Sequence, residues 1–122
     1  FFGIGLLSST IFELQLDHYF ARKSKQKMID SLSNHYIVCG FGRVGRGAAR
    51  ELQLSGIPFV VIDNNDDKIE RVMRAGMLGV LADASRDEAL RAVHIDRARG
   101  LIAALATDAD NLFLTLSAKT LN

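Results

Sequence analysis

One cysteine in 122 residues excludes a disulfide framework, and it suits a reducing compartment. A formal net charge of +1 gives no general drive toward nucleic acid. No basic segment precedes the apolar start, and no small-residue cleavage site follows it, so no signal peptide is read. No Ser/His/Asp or Cys/His set has a structural context, because His18, His35 and His94 are scattered. No D-x-D-x-D-G loop offers a calcium site, and Cys39 has no metal-ligand partner at useful spacing. These absences point to a binding module rather than an enzyme, with no metal ligands assigned.

What the chain does have is His35-Tyr-Ile-Val-Cys-Gly-Phe-Gly-Arg-Val-Gly45, an apolar strand entering a G-x-G-x-x-G turn at Gly40, Gly42 and Gly45. The first glycine allows the sharp turn and the second lets backbone approach a diphosphate. The third lets the following helix pack closely on the strand. That helix is read with Val44, Ala48 and Leu52 spaced four apart. Its first turn offers free N–H groups and a partial positive charge to an anion. A second strand, Phe59–Ile62, ends in Asp63, which stands 23 residues after Gly40. That is near the spacing expected of a carboxylate on an adenosine ribose, and a carboxylate there disfavours a 2′-phosphate. Asn64 and Asn65 follow and could assist.

Further along, the punctuation predicts a helix from Asp66 with Ile69, Val72 and Met73 buried, and a strand over 78–81. A helix over 86–93 is capped by Ser85 and buries Ala89, Leu90 and Val93. A strand over 101–105 and a helix from Thr107 or Asp108 follow. The alternation means an α/β fold, a Rossmann-like doubly wound parallel sheet of at least four strands, preceded by an N-terminal helix. A complete domain of this kind has about six strands, so the sheet reads as incomplete at its C-terminal side.

Asp83 falls at the carboxyl edge of the sheet, beside Ala84, where ligands bind. It could contact a nucleotide, hold a divalent cation with Asp108, or cap a helix; Asp108 and Asp110 also suit a helix N-terminus. Arg43, inside the glycine loop, is the candidate clamp for a diphosphate, and Arg46 and Arg50 read as a solvated helix face. The nucleotide-contacting set is therefore Gly40, Phe41, Gly42, Arg43, Val44, Gly45, Asp63, Asn64, Asp83 and Ala84.

The front of the chain differs. Phe1–Phe12 is apolar or small throughout. Twelve helical residues reach about 18 Å, short of the ~30 Å core of a bilayer. The run reads as the last half of a spanning helix or as an amphipathic helix lying on a protein surface. Arg22, Lys23, Lys25 and Lys27 follow, with no acid between His18 and Lys27, a flank that marks the cytoplasmic side.

Tyr36–Gly45, Val61–Asp63, Leu81-Ala-Asp-Ala-Ser85 and Asp108-Ala-Asp-Asn111 together resemble the RCK (regulator of potassium conductance) or KTN domain. Ala82 departs from the glycine usual there. The resemblance implies a cytoplasmic regulatory module of a potassium channel in the cell membrane. Residues 1–34 would be the end of the pore-lining helix plus a linker, and 35–122 the nucleotide-binding domain. It implies binding of NAD(H), of ADP, ATP or AMP, or of a divalent cation. It also implies RCK dimers or a homo-oligomeric ring that pulls on the potassium-conducting pore. Other readings are the regulatory domain of a potassium transporter or antiporter, and the N-terminal half of an NAD-dependent dehydrogenase.

Overall fold

The computed structural model describes residues 25–122. The expected pore-helix end, Arg22 and Lys23 lie outside the described residues. A helix described over 25–30 (α1) leads into strand β1 (Tyr36–Cys39). Then come α2 (Arg43–Leu54), β2 (Phe59–Asp63), α3 (Asp66–Arg74), β3 (Gly79–Leu81) and α4 (Asp87–Ala92). A 3-10 turn (Ile95–Arg97), β4 (Gly100–Ala103) and α5 (Asp108–Leu121) complete the order. Among the described residues, no helix is long and apolar enough to cross a membrane.

The four strands are parallel in the order β3-β2-β1-β4. Tyr36 pairs with Phe59 on one side and Gly100 on the other. Strands this short and continuously apolar need cover on both faces, and the alternation of side chains divides that cover. Ile37, Cys39, Val60 and Ile62 face a core shared with Leu90 of α4 and Leu114 and Ala118 of α5. Val38 and Val61 face the other way, against Ala49 and Leu52 of α2 and Val72 of α3. Full burial of such a side chain contributes about 1.5–3 kcal/mol.

Several expectations shift by local packing. The buried stripe of α2 is Gly45, Ala49 and Leu52; Val44 is 65% exposed. Met73 is half exposed, leaving Ile69 and Val72 as the buried face of α3. Ser85 does not cap α4, whose N-cap is Arg86 without a side-chain bond; its hydroxyl donates to Asp83 instead. Ile29 and Leu32 are buried in the α4–α5 core, so the domain's packing reaches back before His35.

The docking of 25–34 is also polar. Arg97 donates to the carbonyls of Leu32 (3.0 Å) and Asp30 (2.7 Å), and Asn34 N donates to Arg97 O. His94 Nε2 lies 3.1 Å from Asp30 Oδ1. Hydrogen bonds from His94 and then Gln26 hold the Asp30 carboxyl below its ordinary pKa.

Candidate functional site

The chain leaves β1 toward β2 and β3, then crosses back to lay β4 on the other side of β1. This reversal is the switch point at which open parallel sheets bind ligands, outside the strands' carboxyl ends. A cleft of about 380 Å³ lies there. It is lined by the glycine loop, the end of β2, the segment 82–85 and the β4–α5 connection.

The loop is built by two glycines that nothing else can replace. Gly40 has φ +104°, and a Cβ on it would overlap the Ala104 carbonyl oxygen. A Cβ on Gly45 would overlap the carbonyl oxygen of Gly40. Gly42, by contrast, has no atom within 4 Å of where its Cβ would sit, so its backbone is open to a ligand. It is also the N-cap of α2 and supplies no side-chain cap, and the first turn of α2 carries no acid. Asn65 caps α3 and Thr107 caps α5 through their side chains. The orphan N–H groups of α2 are thus left for an anion.

Asp63 is 7% exposed. Its Oδ2 accepts from Phe41 N and its Oδ1 from Asn65 N, both at 2.8 Å. One carboxylate therefore fastens the glycine loop to the end of β2. Each oxygen retains a second acceptor position, and Asp63 lines the cleft.

Asp83 accepts from Ser85 Oγ at 2.6 Å and Ser85 N at 3.0 Å. These two bonds, with Arg86 nearby, hold its pKa below the ordinary carboxylate value. Burial pushes the Cys39 thiol up to about 12, so it stays protonated and unreactive within the sheet.

The cleft brings together Gly40, Phe41, Gly42, Asp63, Asn64, Asp83 and Ala84. Three expected members fall elsewhere. Gly45 is buried beneath the loop and Val44 points outward. Arg43, as the first residue of α2, lines a separate groove between α2 and α3 with Arg46, Arg50 and Arg71.

Residues that sequence reasoning missed are Lys68, Ala104–Ala106 and Asp110, all on the cleft wall. Lys68 follows the Asn65 cap by one helical turn and is the one cation among the described residues that line the cleft. Asn111 also escaped assignment. Its Oδ1 accepts from Leu105 N at 2.7 Å and its Nδ2 donates to Leu105 O at 3.3 Å, which fixes the wall after β4. Its signal was present in the Asp108-Ala-Asp-Asn111 segment. Among the described residues no group of three or more His, Cys, Asp or Glu side chains is placed to hold a metal ion.

The sequence profile of the TrkA-N domain matches residues 36–122. The chain belongs to the TrkA-N domain family. It is 37% identical over 123 residues to potassium channel protein 1 of Methanocaldococcus jannaschii, covering 99% of this chain and 37% of that protein. It is 38% identical over 87 residues to the glutathione-regulated potassium-efflux system protein KefC of Cronobacter sakazakii, covering 71% of this chain and 14% of that protein. Among solved structures, the GsuK channel bound to NAD superposes with a TM-score of 0.68 at 27% identity, over 75% of this chain and 17% of that one. GsuK bound to ADP superposes at 0.65 and the same identity, over 75% of this chain and 24% of that one. The chain spans little more than a third of the length of the archaeal channel protein it matches. The resemblance to RCK domains and the Rossmann-like parallel sheet are borne out by these matches.

Proposed function

We propose that this TrkA-N domain binds NAD(H) or an adenine nucleotide in the cleft at Gly40–Gly42 and acts as the cytoplasmic ligand-sensing module of a potassium channel. The observation that carries the binding reading is the Asp63 carboxylate, fastened to Phe41 N at 2.8 Å beneath an uncapped helix start. A diphosphate would lie over Gly42 and the first N–H groups of α2. The adenosine ribose would take the free acceptor directions of Asp63. The likeness to GsuK bound to NAD and to GsuK bound to ADP supports both ligand classes.

The role is sensing rather than turnover. A ligand shifts gating only by its difference in affinity between two conformations, and a typical coupling of about 1–3 kcal/mol changes an equilibrium roughly 5–150-fold. The route to a pore would run through α1. Ile29, Leu32 and the Asp30–His94–Arg97 contacts weld 25–34 to the domain, so a displaced domain carries the preceding segment with it. Assembly with second copies would use α5, where Leu112, Phe113 and Leu116 are each more than half exposed. The likeness to KefC supports a second setting for the same module, the regulatory domain of a potassium transporter.

Calorimetry with NADH, NAD, AMP, ADP, ATP and NADPH on ligand-stripped, folded protein tests the binding reading. At least one adenine nucleotide binds, and NADPH binds poorly. If none binds, the cleft is not a nucleotide site.

A further inference from the structure

The groove that received Arg43 has about 510 Å³ of space and lies against α2 and α3. Phe41 separates it from the cleft and lines both. Its walls carry Arg43, Arg46 and Arg50 from α2 and Arg71 from α3, and among the described residues no carboxylate lines it. Among the described residues none of these four arginines lies in a salt bridge, whereas Arg74 and Arg86 each have an acidic partner.

Positions 43, 46 and 50 fall on one face of α2. Arg43 and Arg46 lie at the helix start, where positive charge opposes the dipole. Arg46 and Arg50, four apart, repel each other. In a chain of net charge +1, this is a local concentration that folding alone does not explain.

The two helices that wall the groove are also tied to each other. Gln53 Nε2 donates to Ala75 O at 2.9 Å across the two helices. Gly47, between Arg46 and Arg50 on the groove lining, has open space where a side chain would stand.

We infer that the α2–α3 groove is a second anion site, separate from the nucleotide cleft, that takes a soluble polyphosphate. Arg50 stands seven positions after Arg43, about 10 Å along the helix axis, with Arg71 on the facing wall. A single phosphate cannot engage guanidiniums that far apart, whereas a chain of linked phosphates meets several. Planar guanidiniums bind phosphate oxygens in pairs. A walled groove suits a free chain better than it suits the flat face of a bilayer.

Tripolyphosphate titrated calorimetrically into the purified protein at low ionic strength is the test. Binding is expected with or without saturating NADH. The double variant R46A/R50A, with its fold verified by circular dichroism, weakens it about a hundredfold, roughly tenfold for each lost charge-assisted contact. The control R86A/R91A removes the same charge from α4 and leaves it unchanged. D63A abolishes NADH binding and spares tripolyphosphate. No binding by the wild type, displacement by NADH, or equal loss in R86A/R91A overturns the inference. So does binding to phosphatidylserine vesicles that tripolyphosphate fails to compete. Failure of the wild type to bind NADH, with tripolyphosphate still bound, would overturn the cleft reading and leave this one standing.

Discussion

Replacing Asp63 by asparagine exchanges one acceptor for a donor at the point where the glycine loop meets β2. The carboxylate receives two backbone N–H groups, from Phe41 and Asn65, each at 2.8 Å. An asparagine has one acceptor oxygen. Whichever way its amide turns, an NH₂ faces one of those N–H groups in a site that is 7% exposed. One charge-assisted bond is lost and one buried donor is orphaned, a cost of about 2–3 kcal/mol. For a domain of this size each kcal/mol lowers the melting temperature by about 4 °C, so D63N should melt roughly 8–12 °C below the parent. D63A, which orphans both donors, should fall further. D83N is the control, because Asp83 is exposed and its side-chain partners, Ser85 and Arg86, are both local; it should melt within about 2 °C of the parent. Calorimetry on folded D63N at low temperature should show NADH binding weakened at least about tenfold, since the loop loses its anchor and the ribose an acceptor. If D63N matches the parent in both melting temperature and NADH affinity, the carboxylate does not organise the loop and the reasoning fails.

Two glycines separate folding from binding. G45A forces a Cβ into the Gly40 carbonyl oxygen and should destabilise by about 3 kcal/mol or more. G42A meets no atom and should keep the parent's melting temperature while losing nucleotide affinity in calorimetry; intact NADH binding in G42A would place the diphosphate elsewhere. His35 is fully buried, with Nε2 against Val93 O at 2.8 Å and, among the described residues, no partner for Nδ1. Desolvation lowers its pKa, the Val93 hydrogen bond and Asp96 work the other way, and His94 and Arg97 add to the lowering. The unfolded chain therefore takes up a proton near pH 6.5 that the folded one resists. The stability of the neutral state is complete above that pH and declines as the pH falls below it. Melting temperature between pH 7 and 5 should fall less steeply in H35Q than in the parent. Charging the open side of α5 with F113K/L116K should reduce the mass seen by light scattering without lowering the melting temperature; an unchanged assembly would move the interface off α5.

Much of the fold was legible because its signals are local. Continuous apolar runs at 36–39 and 59–62, each closed by a glycine or an acid, specify buried parallel strands without reference to anything distant. The cleft was legible for the same reason, since Gly40, Asp63 and Asp83 each end a strand and all strands end on one edge. What escaped depends on contacts between elements. Val44, Ala48 and Leu52 marked α2 as a helix by their spacing, and Gly45 was read as the point of close packing, but neither signal gave the phase of the buried face. The helix lies so close to β1 that only Gly45 fits there, and this rotates Val44 outward. The same rotation explains Arg43. It stands inside the G-x-G-x-x-G string, and adjacency in that string suggests a shared ligand. Yet Gly42 ends the loop and Arg43 begins the helix, so the arginine joins Arg46 and Arg50 on a helical face that turns toward α3. Lys68 was invisible for the converse reason. It stands four residues after Asn64 but inside a predicted helix, and only the Asn65 cap, which sets where α3 begins, places that side chain on the cleft wall. A glycine motif fixes where backbone approaches a ligand; which charges meet that ligand is decided by the phase of the helices that follow.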